Sequence, residues 1–136
     1  GPDLAALPGV HATTDVTGFG LAGHGLEMAR GARCEVQIDW SAVPQLPGVR
    51  ALAGQGFVTG ASGRNWAGYG AEVQLAAGLP PTAQALLSDP QTSGGLLVSC
   101  APEALDAVMA VFAREGFADA AVVGRLQAGL AALHVQ

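Results

Sequence analysis

Hydrophobic positions change their period several times along the chain, and each change predicts an element. Leu4 to Leu7 reads as the end of a helix or a linker, closed by the turn signal Pro8-Gly9. Val10 to Thr17 alternates loosely and is rich in β-branched residues, which predicts a strand. From Gly18 to Ala32 the period becomes helical. Phe19, Ala22, Leu26 and Ala29 form an apolar stripe, while Glu27 and Arg30 lie three apart on a polar face. Glu35 to Asp39 alternates polar and apolar as a half-buried strand should, and Trp40 to Ala53 is a proline-broken helical segment. Glu72 to Leu75 predicts a short strand, Pro80 to Leu87 a short helix opened by prolines, and Leu96 to Cys100 an apolar strand. Leu105, Val108, Met109 and Phe112 fall at i, i+3, i+4 and i+7 between Pro102-Glu103 and Gly116, the pattern of a helix with both ends marked. Asp119 to Arg125 and Ala131 to Val135 predict closing strands. This alternation of elements defines an α/β layered domain with a mixed sheet.

Glycine breaks the pattern in two places. Gly18, Gly20, Gly23 and Gly25 fall within one predicted helix, where each costs up to roughly 1 kcal/mol against alanine. Close approach of another backbone or of a ligand is the compensation such a cluster implies. Gly54 to Gly70 is glycine-rich and also holds Ser62, Arg64, Asn65, Trp66 and Tyr69, a composition that predicts a long functional loop instead of a regular packed element.

Composition narrows the function classes. With 136 residues, half of them apolar, the chain is one domain with enough material for a core. Its six basic residues are all arginine and face eleven acidic ones, which argues against a nucleic-acid or anionic-membrane surface. Cys34 and Cys100 stand far apart without the spacing of a zinc site or a redox pair, and so read as small buried hydrophobes in a reducing, cytoplasmic setting. Pro80, Pro81 and Pro90 interrupt the longest apolar stretches short of a membrane span, and no basic leader opens the chain. Neither a GxGxxG fingerprint nor a GxxxxGK loop is present, so Rossmann and P-loop nucleotide binding find no support.

Two segments carry candidate chemistry. Thr14-Asp15-Val16-Thr17-Gly18-Phe19-Gly20 ends a strand on a carboxylate and opens a helix with glycines. Magnesium binds one or two protein carboxylates and takes its other ligands from water and phosphate, and free N–H groups at a helix start favour phosphate oxygens. The same residues also suit an ordinary cap and turn. Asp89-Pro90-Gln91-Thr92-Ser93-Gly94-Gly95 sets a carboxylate, two hydroxyls and a glycine pair before the apolar strand, fitting either an Asx-type turn or a phosphate contact. Arg64 is of the type that pairs phosphate bidentately, although with Asn65 it could equally tie down its own loop. His24 reads as a packing histidine, no carboxylate partner being apparent in the sequence.

Taken with His11 to His24 (HATTDVTGFGLAGH) and Gly60 to Asn65 (GASGRN), the string Asp89 to Leu97 (DPQTSGGLL) resembles the C-terminal half of the selenophosphate synthetase, or selenide, water dikinase, family. The likeness runs through essentially the whole chain. DPQTSGGLL is its most specific part, because aminoimidazole ribonucleotide synthetase, thiamine-monophosphate kinase and the hydrogenase maturation protein of the same superfamily carry different strings there. Thr13 stands where many members have Cys, and the turn before Arg64-Asn65 is short. The resemblance implies a three-layer α/β/α domain partly like a ferredoxin fold, with residues 1–9 as a linker or the end of a preceding helix and 10–136 as a single C-terminal domain. It implies a full-length enzyme that makes selenophosphate, AMP and orthophosphate from selenide, ATP and water, with Mg2+ as cofactor and a homodimer as the assembly. The nucleophilic Cys or selenocysteine, the essential Lys and most ATP-binding carboxylates are then expected in an N-terminal ATP-binding domain, and no catalytic residue is expected here. Asp15 becomes the metal ligand, and Thr17, Gly18, Arg64, Asn65, Asp89, Thr92, Ser93, Gly94 and Gly95 become the lining of a phosphate or substrate cleft. A sister ATP-dependent enzyme of the superfamily and a noncatalytic ligand- or protein-binding module are the alternatives.

Overall fold

A computed structural model describes all of residues 1–136. The chain opens with the short helix α1 (Pro2–Ala5), followed by β1 (Val10–Asp15), α2 (Gly20–Ala32) and β2 (Glu35–Ile38). Next come α3 (Val49–Gly54), α4 (Gly60–Tyr69), β3 (Val73–Leu75) and α5 (Ala83–Leu87). The chain closes with β4 (Leu96–Cys100), α6 (Leu105–Arg114), β5 (Gly124–Gln127) and β6 (Ala132–Val135).

The expected mixed sheet has four strands in the order β3-β6-β2-β5. β6 runs parallel to both β2 and β3, while β5 pairs antiparallel with β2 at the edge. β2 and β6 alternate half-buried and buried positions, so Val36, Ile38, Leu133 and Val135 point one way. Helix α2 lies on that face. Ala22, Leu26 and Ala29 are fully buried in the same cluster as those four, together with Tyr69, Ala83 and Leu87. Gly25 belongs to this contact, because a Cβ there would sit 3.3 Å from Leu133 Cδ1. Phe19, placed on the stripe by periodicity, stays 54 % exposed, since the helix begins one residue later at Gly20.

The other two strands form a separate antiparallel ribbon, β1 with β4. It has a core of its own, in which Leu4 of α1 meets Val108 and Val111 of α6 with Val10, Val98 and Cys100 at the margin. Residues 1–9 thus contribute a packed helical turn, and Arg114 of α6 forms an ion pair with Asp3.

Two expectations change. The segment 54–70 is not a long loop: α4 occupies Gly60–Tyr69, capped by the Thr59 hydroxyl, which accepts from Ser62 N–H at 3.2 Å. The proline-broken helical segment read at 40–53 is kept, as a 3-10 turn at Trp40–Ala42 and the short α3. Of the closing strand read at 119–125, pairing begins only at Gly124, where a Cβ would lie 1.9 Å from the Gln37 carbonyl oxygen and only glycine permits the approach.

Candidate functional site at the crossing of three motifs

The two strongest sequence motifs are cross-strand neighbours. Asp15 ends β1 opposite Leu96, the first residue of β4, so the turn after one strand and the loop before the other must cross. Val16 N–H donates to the Gly95 carbonyl at 2.9 Å, and Gln91 N–H donates to the Thr17 carbonyl at 2.9 Å. Gly94 lies in the tightest part of this crossing. A Cβ on it would come within 1.8 Å of Val16 O. Gly20 is held as closely, with φ +70 and with Leu87 O 2.6 Å from where a Cβ would stand. Of the glycine cluster of the first motif, Gly20 is thus explained by backbone approach, while a Cβ at Gly23 or Gly25 would meet the side chains of Phe19, Tyr69 and Leu133 and one at Gly18 would meet nothing.

Helix α4 brings the third motif. The Asn65 side-chain amide donates to Gly18 O at 2.8 Å and Ser88 O at 2.9 Å, so both amide hydrogens are spent on joining the turn to the loop. The Tyr69 hydroxyl donates to Phe19 O at 2.6 Å, one helical turn further along α4. Burial of the phenol, opposed by a backbone hydrogen bond from Gly23, pushes its pKa up to about 12. Asp89 closes the arrangement from the other side, its Oδ1 accepting from Thr59 Oγ1 at 3.0 Å and from Ser62 Oγ at 3.1 Å. A carboxylate beside the first turn of α4 is favoured there by the free N–H groups of the helix start. One oxygen of Asp89 is thus engaged in anchoring α4.

The remaining predicted residues face solvent. Asp15, Thr17, Gly18, Arg64, Thr92, Ser93, Gly94 and Gly95 are all exposed. Neither the Asp15 carboxylate nor the Arg64 guanidinium takes part in an ion pair. The N–H groups of Gly18, Phe19, Thr92, Ser93, Gly94 and Gly95 have no acceptor in the molecule. Six free donors therefore gather on the two strands of chain that cross. No group of three or more His, Cys, Asp or Glu converges anywhere in the molecule, so a site for a metal held wholly by protein side chains is absent. A single exposed, unpaired carboxylate does fit magnesium, which accepts one protein oxygen and completes its shell from phosphate and water.

Sequence reasoning missed the part played by three residues. Thr59 and Ser62 hold Asp89, and their signal was a capping residue three positions before a hydroxyl. His24 is buried and does have a carboxylate partner: its Nδ1 is 2.8 Å from Glu27 Oε2, one turn on in the same helix, a spacing open to inspection.

This crossing of two glycine loops clamped by a short helix, on paired α/β layers, belongs to a recognised class. The chain is a member of the family described as AIR synthase related protein, C-terminal domain, matched over residues 2–135. Within it, the sequence is 63 % identical over 95 % of its length to the selenide, water dikinase of Burkholderia ambifaria (strain MC40-6), covering 36 % of that protein. The enzyme of the same name from Pseudomonas straminea gives the same identity and coverage, and that of Burkholderia orbicola (strain MC0-3) is 61 % identical over 99 % of the chain and 38 % of that protein. The chain therefore spans a little over a third of the curated relatives it matches. Among solved structures, E. coli HypE superposes over 98 % of the chain and 33 % of its own length with TM-score 0.69 at 20 % identity. Thiamine-monophosphate kinase from Stenotrophomonas maltophilia K279a superposes over 94 % of the chain and 32 % of its own length, with TM-score 0.60 at 18 % identity. These two share the fold.

Proposed function

We propose that this chain is the C-terminal domain, residues 10–136 with 1–9 leading into it, of a selenide, water dikinase that makes selenophosphate, AMP and orthophosphate from selenide, ATP and water. The observation that carries the reading is the crossing itself: the strings shared with that enzyme family are the ones that meet, and they leave six unpaired N–H donors beside an unpaired carboxylate. N–H groups alone would attract any anion, and a carboxylate alone would repel phosphate. The pair makes chemical sense if Asp15 would hold a divalent cation, which would supply the charge neutralisation that a phosphate beside a carboxylate needs.

Asp15 is accordingly the residue of this chain that holds Mg2+. The cation supplies charge neutralisation of the polyphosphate when bound. The chain's own part is positional: Gly18, Phe19 and Thr92 to Gly95 offer N–H groups to phosphate oxygens, Thr17 and Ser93 offer hydroxyls, and Arg64 adds an exposed positive charge outside any ion pair. Asn65 and Asp89 act one step back by fixing the turn and the loop. The nucleophile and the remaining ATP ligands belong to an N-terminal ATP-binding domain, and the assembly is a cytoplasmic homodimer. The sister-enzyme reading is weakened by identities of 61–63 % to proteins of one name.

The test is to incubate the full-length protein with ATP, Mg2+ and selenide and follow phosphorus NMR. Selenophosphate, AMP and orthophosphate in equal amounts are expected. ADP as the only nucleotide product would transfer the chain to a sister kinase, and no selenide-dependent turnover at all would favour a binding module.

A further inference from the structure

His24 is the one buried imidazole at the crossing, and both of its nitrogens are engaged. Thr17 N–H lies 3.0 Å from Nε2. A backbone N–H can only donate, so Nε2 carries the lone pair and the ring proton sits on Nδ1, which donates to Glu27 Oε2 at 2.8 Å. The Thr17 hydroxyl is also 3.2 Å from Nε2, and the series hydroxyl, imidazole, carboxylate has the outline of a nucleophilic triad. That role does not fit. The single lone pair of Nε2 is already directed at the Thr17 N–H, so the ring has none free to take a proton from the hydroxyl.

We propose instead that His24 is a positioning residue: a neutral imidazole, fixed as the Nδ1–H tautomer by Glu27, that holds Thr17 N–H and thereby sets the turn carrying Asp15, Gly18 and Phe19. The role of that turn toward metal and phosphate rests on the function proposed above; the tautomer and the hold on Thr17 do not. A residue needed only to fill space at this place on α2 would require no acceptor at Nε2, and a leucine would serve. The groups facing the ring are few. Glu27 meets Nδ1, Thr17 meets Nε2, and the Phe19 ring stands tilted at 6.1 Å. Glu27 is itself within the field of Arg30, which pairs with Glu72 at 2.6 Å beyond α4.

Two readouts test this. In the chain labelled with nitrogen-15 histidine, His24 should show an Nδ1-bound proton and an unprotonated Nε2 at neutral pH; a proton on Nε2 would overturn the proposal. In the full-length protein, His24→Leu should lower kcat/KM for ATP by about 10-fold or more, while His24→Gln, whose amide oxygen can reach the Thr17 N–H, should stay within about 3-fold of the parent. Equal losses in the two variants, or none in either, would contradict it. If His24→Leu does not fold, the glutamine variant and the tautomer still decide. A wild-type protein without selenide-dependent turnover would remove the proposed function and leave the tautomer result standing.

Discussion

Gly94 and Gly95 are adjacent, yet a methyl group would meet very different surroundings at the two positions. At Gly94 it would collide with Val16 O at 1.8 Å; at Gly95 nothing lies within 4 Å. Gly94→Ala is therefore expected to destabilise the chain by roughly 1–3 kcal/mol, through backbone displacement at the crossing. Gly95→Ala should change stability by no more than about 0.5 kcal/mol. Urea melts of the two variants check this, and equal effects would mean that the loops do not cross as described. At this scale much was legible. The carboxylate at the strand end and the glycine pair before β4 are local patterns, and they pointed to two segments that turn out to be hydrogen-bonded neighbours. What was hidden is which oxygen is already engaged. Asp89 looked as available as Asp15, but the hydroxyls of Thr59 and Ser62 that donate to it lie 30 and 27 residues earlier.

Helix α4 shows what holds an element that local preference disfavours. Gly60, Gly63 and Gly68 lie inside it, and each lowers helix propensity by roughly 1 kcal/mol against alanine. Propensity therefore predicted a loop. The helix is secured at long range instead, by the Asp89 anchor at its start, the Asn65 clamp in its middle and the Tyr69 hydroxyl on Phe19 O at its end. α6, with its marked ends and apolar stripe, needed no such help and was read correctly from sequence. Tyr69 gives the arrangement a pH signature. Its pKa is raised by burial from 10.0 to about 12, so the folded state binds the phenolic proton more tightly than the unfolded one. The resulting stability is intact below pH 10 and declines as pH rises toward 12. Thermal melts across that window should show a steeper loss of Tm in the parent than in Tyr69→Phe, which lacks the titrating group. Parallel curves would place the phenol in water.

At the level of the whole molecule, the site lies where two separately packed layers meet. α2 and the four-stranded sheet share one core, while α1, α6 and the β1–β4 ribbon share a smaller one. The turn after β1 leads from the second into the first, and the loop before β4 leads back. A small core is the weaker partner, so the ribbon layer should open first. Leu4→Ala is expected to cost about 2–5 kcal/mol and to speed hydrogen exchange in α6 and β4 before α2 and β6 are affected. Uniform loss of protection would show instead one cooperative unit. The sequence pattern supplied the elements other than α4 and the mixed sheet, but not this partition, because nothing local distinguishes a strand that joins the main sheet from one that pairs only with β4.

On the proposed reading, Asp15 would hold a cation that offsets the charge of a phosphate bound by the crossing loops. Titrating Mg2+ into full-length Asp15→Asn and measuring selenide-dependent AMP release decides it. Asparagine keeps the size of the side chain and removes its charge, so the fold should persist while activity falls by two orders of magnitude or so and the Mg2+ requirement rises, as expected when a charged ligand is lost. Activity and Mg2+ dependence equal to those of the parent would contradict the assignment of this carboxylate, and with it the reading of the crossing as a metal and phosphate site.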